Sequence, residues 1–395
     1  MDPLSKILTL PKAEREAKGL VHTPHEILQQ PDTWCQSYEK LSRLAPELES
    51  FLQRAGLRNN VHARPSVFLI GAGTSDYIGR AVATVLRRFW QCEVCVVPST
   101  DLLICLDDFM VTGKSYIWIS FSRSGDSSEG VALLEWVLDH RPEIHHIIVC
   151  CNEEGRMARL LSERNNVCGV ILDAEVNDRA LAMTSSFSNM VVAGHCLAHL
   201  QNLRTYGLTL DALVVAARKF LPVAATLAER VVGEGFAKVC FLGTGALHAV
   251  AVESALKVLE LTAGTIITSS ESFLGARHGP LSALDNETLA VGFVSGDARR
   301  RSYELDLLEE VREKKLAKSI LVIAPRVASE DETRLAQIGL VLPLETSVAD
   351  CYRPPVDVFI GQLIGLFSSI KLGLKPDTPS PSRAISRVVS NLRIY

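Results

Sequence analysis

The chain has 395 residues, 47% hydrophobic and 22% charged, with a formal net charge of −4 and an isoelectric point near 6.2. That length accommodates two domains with full cores. The acidic balance argues against nucleic acid or an anionic membrane as the main partner, and no apolar run approaches the roughly 20 residues of a membrane span.

The segment up to about Gly56 reads as helical, with Thr23-Pro24 as a start signal and Pro31 and Pro46 as breaks. Ser66–Ile70 is a buried strand, followed by the turn Gly71-Ala72-Gly73-Thr74-Ser75-Asp76 and a helix from Tyr77 to Trp90. Strand patterns recur at Glu93–Val97, Tyr116–Ser120, Ile144–Cys150 and Val167–Leu172, with helical patterns between them. Near-continuous apolar strands alternating with helices mean a parallel sheet covered on both faces. A helical region runs from Thr184 to Leu203 and resumes after Gly207 as far as Val232.

The pattern then restarts. Lys238–Leu242 and Gly243-Thr244-Gly245-Ala246 repeat the strand and Gly-x-Gly turn of the first half. Strands at Thr265–Ser269, Thr288–Val294, Lys318–Ile323 and Gly339–Leu342 alternate with helices such as Ala298–Lys315, and a last helix spans Val356–Leu372. Two copies of one doubly wound α/β unit are the economical reading. The divisions this implies are an N-terminal helical segment (1–56), a first sheet domain (57–206), a second (207–375) and a tail (376–395). The third glycine of a dinucleotide fingerprint is missing from both turns, where Asp76 and His248 stand, so a nicotinamide or flavin site is not expected.

Ten cysteines lie mostly in apolar strand-like runs, and the first residues lack a signal-peptide core, as expected for buried thiols of a cytoplasmic protein. Cys92 and Cys95 have Cys-x-x-Cys spacing, but no second pair answers them, and no metal centre is expected.

Three stretches carry chemistry. Ser120-Phe-Ser-Arg-Ser-Gly-Asp-Ser-Ser-Glu129 links a strand to a helix. The hydroxyls of Ser122, Ser124 and Ser127, the cation of Arg123 and the N–H groups of the first helical turn suit the phosphate of a small metabolite, while the competing reading is an ordinary capped helix start. Glu253, Lys257 and Glu260 form one stripe of an otherwise apolar helix. Such a stripe either pairs internally or faces a cavity, with raised carboxylate and lowered lysine pKa values, unless it is a salt-bridged solvent face. His278 lies between Arg277 and Gly279-Pro280 in a loop that also holds Glu271, either as a structural turn residue or as part of a site.

Together these stretches resemble a pair of sugar isomerase (SIS) domains. The first copy carries Gly73-Thr74-Ser75, Ser122–Ser127 and Ala182-Met-Thr-Ser-Ser186; the second carries Glu253-x-x-x-Lys257-x-x-Glu260 and Arg277-His-Gly-Pro280. The chain is similar to the isomerase half of glucosamine-6-phosphate synthase. It is closer to the galactosamine-6-phosphate deaminase/isomerase type, also called tagatose-6-phosphate ketose/aldose isomerase, through Glu253–Gly264 and the tail Pro376-Asp-Thr-Pro-Ser-Pro381 with Arg387-Val-Val389.

The resemblance implies two flavodoxin-like SIS domains, no cofactor, a sugar phosphate as ligand and a homodimer or homotetramer with a shared active site. Ser75, Ser122, Arg123, Ser124 and Ser127 would hold the phosphate. Glu260 would move a proton between C2 and C1, tuned by Lys257 and Glu253, and His278 would open the sugar ring, reaching the site from a neighbouring subunit. Gly73, Thr74, Thr184, Ser185, Arg277 and Arg387 would complete the substrate site. Arg123 replaces the synthase's Gln and Arg387 its tail lysine, so no imine chemistry falls to Arg387. The synthase's glutaminase domain is missing from the sequence, which favours amino-sugar catabolism. The alternatives are a plain phosphosugar isomerase, a non-catalytic phosphosugar sensor and a dinucleotide-dependent oxidoreductase, the last weakened by the missing third glycines. Against the sensor stand the intact Glu260/Lys257/His278 set and the lack of a helix-turn-helix segment.

Overall fold

A computed structural model describes residues 1–162, 164–381, 386–388 and 393. Of the expected tail, 382–385, 389–392 and 394–395, including Val389 of the quoted motif, lie outside the described residues. Two compact units are present. One comprises Asp32–Asp178, Ser185–Leu208 and the described residues from 386 onward; the other comprises Met1–Pro31, Arg179–Thr184 and Thr209 through to 381. Each holds one five-stranded parallel sheet.

In the first unit the strands are β1 (Ser66–Gly71), β2 (Val94–Pro98), β3 (Tyr116–Ser122), β4 (His145–Cys150) and β5 (Val167–Ile171), in the order β2-β1-β3-β4-β5. Every residue of β1 and β3 is buried, as central strands covered on both faces require. Phe68, Tyr116 and Trp118 pack with Leu102 and Val137 on one side of the sheet. The helix α1 (Gln30–Arg54) precedes the sheet, and α2 (Thr74–Trp90), α3 (Ser128–His140) and α4 (Ser185–Ala198) are among the helices that flank it. All of α4 is buried, and its polar residues Ser185, Ser188 and Asn189 are hydrogen-bonded inside the unit.

The second unit repeats the order with β6 (Lys238–Gly243), β7 (Ile267–Ser272), β8 (Thr288–Phe293), β9 (Ser319–Pro325) and β10 (Leu340–Leu344), arranged β10-β9-β8-β6-β7. Its first strand leads into α5 (Ala246–Leu261), which packs against α6 (Phe359–Lys371). A Cβ on Gly361 would come within 2.3 Å of the Ser254 side chain, so glycine there sets how closely the two helices approach. The residues before α2 and α5 have nearly the same backbone angles, φ 57°, ψ −127° at Gly73 and φ 62°, ψ −125° at Gly245.

Four sequence expectations need correction. Pro46 does not break a helix, for it lies within α1, whereas Pro31 does fall at a break: one helix ends at Leu28 and α1 starts at Gln30. Pro31 sits in the first turn, where no N–H is needed, and Pro46 is exposed, as is Ser42, whose carbonyl loses its usual donor and lies at a solvated position. The interruption expected at Gly207 instead falls between Ala198 and Leu203, and Gly207 lies inside the helix Leu203–Glu234. A Cβ there would meet the Tyr38 hydroxyl at 2.6 Å, so glycine serves packing rather than a turn. The helix expected from Tyr77 begins at Thr74. β7 runs past Ser269 to Ser272 because, as an edge strand paired only with β6, it is half-exposed and its serines need no apolar neighbours.

Candidate active site

In a 2-1-3-4-5 sheet the strand order reverses between the first and third strands, and ligands bind in the crevice beyond their carboxyl ends. In the first unit those strands are β1 and β3, paired with Ile70 opposite Ser120. Beyond β1 comes Gly73-Thr74-Ser75; β3 ends at Ser122 and runs on into Arg123–Ser127. The topology therefore brings the two predicted halves of the phosphate site to one crevice. Thr74, Ser75, Ser122, Arg123 and Ser124 are all buried, and the Ser75 hydroxyl makes no hydrogen bond among the described residues.

The loop after β3 is shaped by its own hydroxyls. Ser122 Oγ accepts the Gly125 N–H at 3.0 Å, and Ser124 Oγ accepts the Asp126 N–H at 3.1 Å. Each hydroxyl that accepts still carries a proton to donate. Gly125 has φ +67°, and a Cβ there would lie 2.9 Å from Cys150 Sγ, so only glycine fits. Ser127 stands at the N-cap of α3 but makes no side-chain cap bond, which counts against the capped-helix reading. Sequence reasoning missed Asn152, whose Nδ2 donates to the Ser124 carbonyl at 2.9 Å. Its signal was a polar residue just past the carboxyl end of β4.

Arg387 docks on the same unit. Its Nε donates to the Asp178 carbonyl at 2.7 Å and its Nη2 to Asn177 Oδ1. The Arg387 carbonyl in turn accepts a hydrogen bond from the Arg123 guanidinium. The tail arginine is thus tied to the loop cation through its backbone. Ser185 serves a buried network: Asn189 Nδ2 donates to the Ser185 carbonyl (2.9 Å), the Ser185 hydroxyl (3.2 Å) and Thr33 Oγ1 (2.8 Å). Asp178 accepts the N–H groups of Ser185 and Ser186 at 3.1 and 2.9 Å.

In the second unit the predicted stripe is internally paired rather than solvated. Lys257 Nζ lies 3.3 Å from Glu253 Oε1 and 2.6 Å from Glu260 Oε2. Glu253 and Lys257 are fully buried, whereas the Glu260 side chain keeps 23% of its surface accessible. Burial pushes the Lys257 ammonium down, but the two carboxylates outweigh it and its pKa rises above the ordinary lysine value, opposite to the sequence expectation. Lys257 is a fixed cation here. Of the three, Glu260 alone keeps accessible surface.

His278 is exposed in a turn, and its imidazole makes no hydrogen bond among the described residues. Arg277 pairs with Glu310 at 3.0 Å. Thr184 is buried, and its carbonyl accepts from Gln362 Nε2 at 3.4 Å. Sequence reasoning also quoted Asp377 without a role. Its carboxylate accepts the N–H groups of Val21 (2.8 Å), His22 (3.1 Å) and Thr23 (2.8 Å) and the Thr23 hydroxyl (2.8 Å), anchoring the start of the helix Thr23–Leu28.

Half of the ten cysteines are buried and all are free. Burial pushes the Cys92 thiol up to about 11, unsuited to redox work. No group of His, Cys, Asp and Glu side chains among the described residues could hold a metal ion, and none of the described helices is long and apolar enough to cross a membrane.

No family model matches the chain. Over 374 residues it is 34% identical to D-galactosamine-6-phosphate deaminase AgaS of Escherichia coli O157:H7, covering 94% of this chain and 95% of that one. The crystal structure of tagatose-6-phosphate ketose/aldose isomerase from Escherichia coli superposes with a TM-score of 0.83 at 32% identity, over 94% of this chain and 96% of the other. The C-terminal domain of glucosamine-fructose-6-phosphate aminotransferase from Francisella tularensis shares the fold, with a TM-score of 0.74 at 20% identity over 90% and 98% of the two chains. With its two 2-1-3-4-5 sheets and this extent of identity, the chain belongs to the double-SIS family of D-galactosamine-6-phosphate deaminases and tagatose-6-phosphate ketose/aldose isomerases.

Proposed function

We propose that the chain isomerises a hexosamine 6-phosphate and releases its amine, converting galactosamine 6-phosphate and water to tagatose 6-phosphate and ammonia. The observation that carries this reading is the Glu260 carboxylate, accessible and held 2.6 Å from a fully buried ammonium. A carboxylate fixed this way has one orientation, which proton transfer demands.

Ser75, Ser122, Ser124, Ser127 and Arg123 hold the 6-phosphate, whose binding energy positions C1 and C2 of the open chain. His278, contributed by a neighbouring subunit of a dimer or tetramer, moves a proton from O1 to O5 to open the ring. Glu260 takes the C2 proton and returns it at C1, while O1 gains a proton and the amine loses one. The product is a C2 imine, which water hydrolyses to the ketone with loss of ammonia. Lys257 stays protonated throughout and offsets the charge of Glu253 and Glu260. The substrate's own amine does what an external cofactor would otherwise do.

A second reading, plain ketose/aldose isomerisation, is favoured by the name of the solved Escherichia coli relative. Ammonia release separates the two. Wild type is assayed on galactosamine 6-phosphate and glucosamine 6-phosphate, beside Glu260→Gln. Release on either sugar, falling about 10²–10⁴-fold in the variant, is the expected result. Equal turnover by both proteins would remove Glu260 from the mechanism, and isomerisation without ammonia would leave the plain isomerase.

A further inference from the structure

The third strand of each sheet ends in the same tripeptide: Ser124-Gly125-Asp126 after β3 and Ser295-Gly296-Asp297 after β8. The two loops are built alike. In each, the serine Oγ accepts the N–H of the aspartate two residues on, at 3.1 Å in the first and 3.0 Å in the second. Each also lies at its sheet's order reversal, where β8 pairs with β6 as β3 pairs with β1.

They differ in what fills them. In the second loop a carboxylate of the protein, Asp350, sits on the donors. It accepts the Ser295 hydroxyl, the Gly296 N–H at 2.9 Å and Arg353 Nη1 at 3.0 Å, with Arg300 Nη1 3.6 Å away. Arg353 is fully buried and locked from its other side by Asp357, at 3.0 and 2.7 Å. The following helix, Ala298–Glu313, is closed as well, because the Asp297 side chain accepts the Arg300 N–H at 2.9 Å, whereas Ser127 leaves the start of α3 uncapped. A hydroxyl, a backbone N–H and a guanidinium converging on one anion are the donors a phosphate oxygen would take.

We infer that Asp350 is a built-in anion occupying the second copy's counterpart of the phosphate loop. Each chain therefore takes a single phosphomonoester, and removing the Asp350 carboxylate turns Ser295–Asp297 into a second anion site. The count of one rests on the proposed role of Ser122–Ser127; the filling of the second loop does not. Without the carboxylate, the Ser295 hydroxyl and Arg353 Nη1 lose an acceptor in a buried place and the exposed Gly296 N–H loses its protein partner, which costs stability until another anion arrives. Arg300, with 57% of its side chain accessible, marks the open side through which one can enter.

The test is calorimetric titration with inorganic phosphate, and thermal midpoints in phosphate against chloride at matched ionic strength, for wild type, Asp350→Ala, Asp350→Asn and Asp350→Ala combined with Ser124→Ala. Wild type and Asp350→Asn bind one equivalent per chain, because the neutral amide still fills the loop. Asp350→Ala binds two and gains more thermal stability from phosphate than wild type does, and adding Ser124→Ala returns the count to one. A folded Asp350→Ala protein with wild-type stoichiometry and phosphate dependence would overturn the inference. So would an Asp350→Ala protein that unfolds in chloride and is not recovered by phosphate. Wild type binding no phosphate would count against Ser122–Ser127 instead, while one equivalent gained by Asp350→Ala would still uphold the role of Asp350.

Discussion

Replacing Lys257 by Met tests the centre of the second unit. The substitution keeps most of the apolar stem and removes the ammonium. Glu253, fully buried, then loses the cation 3.3 Å from its carboxylate, and Glu260 loses a donor at 2.6 Å. Glu260 is partly accessible and can turn to water, so the larger penalty falls on Glu253. Breaking a buried pair by removing one partner costs about 3–5 kcal/mol, because the remaining charge stays desolvated. Glu253→Gln in the same background replaces that charge by an amide of the same shape, so the double variant recovers most of the loss. A cycle of wild type, Glu253→Gln, Lys257→Met and the double variant, measured by urea unfolding, gives a coupling energy of about 2 kcal/mol or more. Both single variants within about 0.5 kcal/mol of wild type, or strictly additive costs, would refute the account of Lys257 as a buried counter-ion to Glu253.

The tail anchor is tested by Asp377→Ala, which deprives three backbone N–H groups and the Thr23 hydroxyl of their acceptor and costs about 2 kcal/mol, read as a lowered thermal midpoint; an unchanged midpoint would remove Asp377 from the fold's supports. Stability also falls in acid. Burial against Trp118 lowers the His146 pKa from 6.5 to about 3, so between those values the unfolded chain takes up a proton that the folded one refuses. That contribution is complete above about pH 6.5 and at pH 5 has lost about 2 kcal/mol. His146→Phe should flatten the urea midpoint between pH 5 and 7.5, and an unaltered pH dependence would refute it.

Strands covered on both faces were legible because they read as unbroken apolar runs: β1, β3, β4 and β8 lie within a residue or two of their expected bounds. Legibility failed where local chemistry and packing disagree. Pro46 looks like a helix breaker, but an exposed position tolerates the lost hydrogen bond. Gly207 looks like a turn, but its missing side chain makes room for Tyr38. At the candidate site, residue types and spacing singled out Ser122–Ser127 and the Glu253/Lys257/Glu260 stripe as worth locating in the fold. They could not give the sign of the Lys257 shift, because burial and two carboxylates pull in opposite directions and only distance decides between them.

The same limit means that the tripeptide itself gives no ground for singling out one serine loop and passing over the other. Ser124-Gly125-Asp126 and Ser295-Gly296-Asp297 are identical as tripeptides and nearly identical in their internal hydrogen bond. The difference arises from Asp350, more than fifty residues beyond the second loop, and from Arg353, which holds that carboxylate from behind. An anion loop is defined by its donors, but whether it receives a ligand depends on whether the fold has already delivered an acceptor to them. A local motif cannot report that, since the acceptor arrives from elsewhere in the chain. For a fold built from two copies, the place to look for lost function in one copy is therefore the carboxylate seated on its loop, not the loop itself.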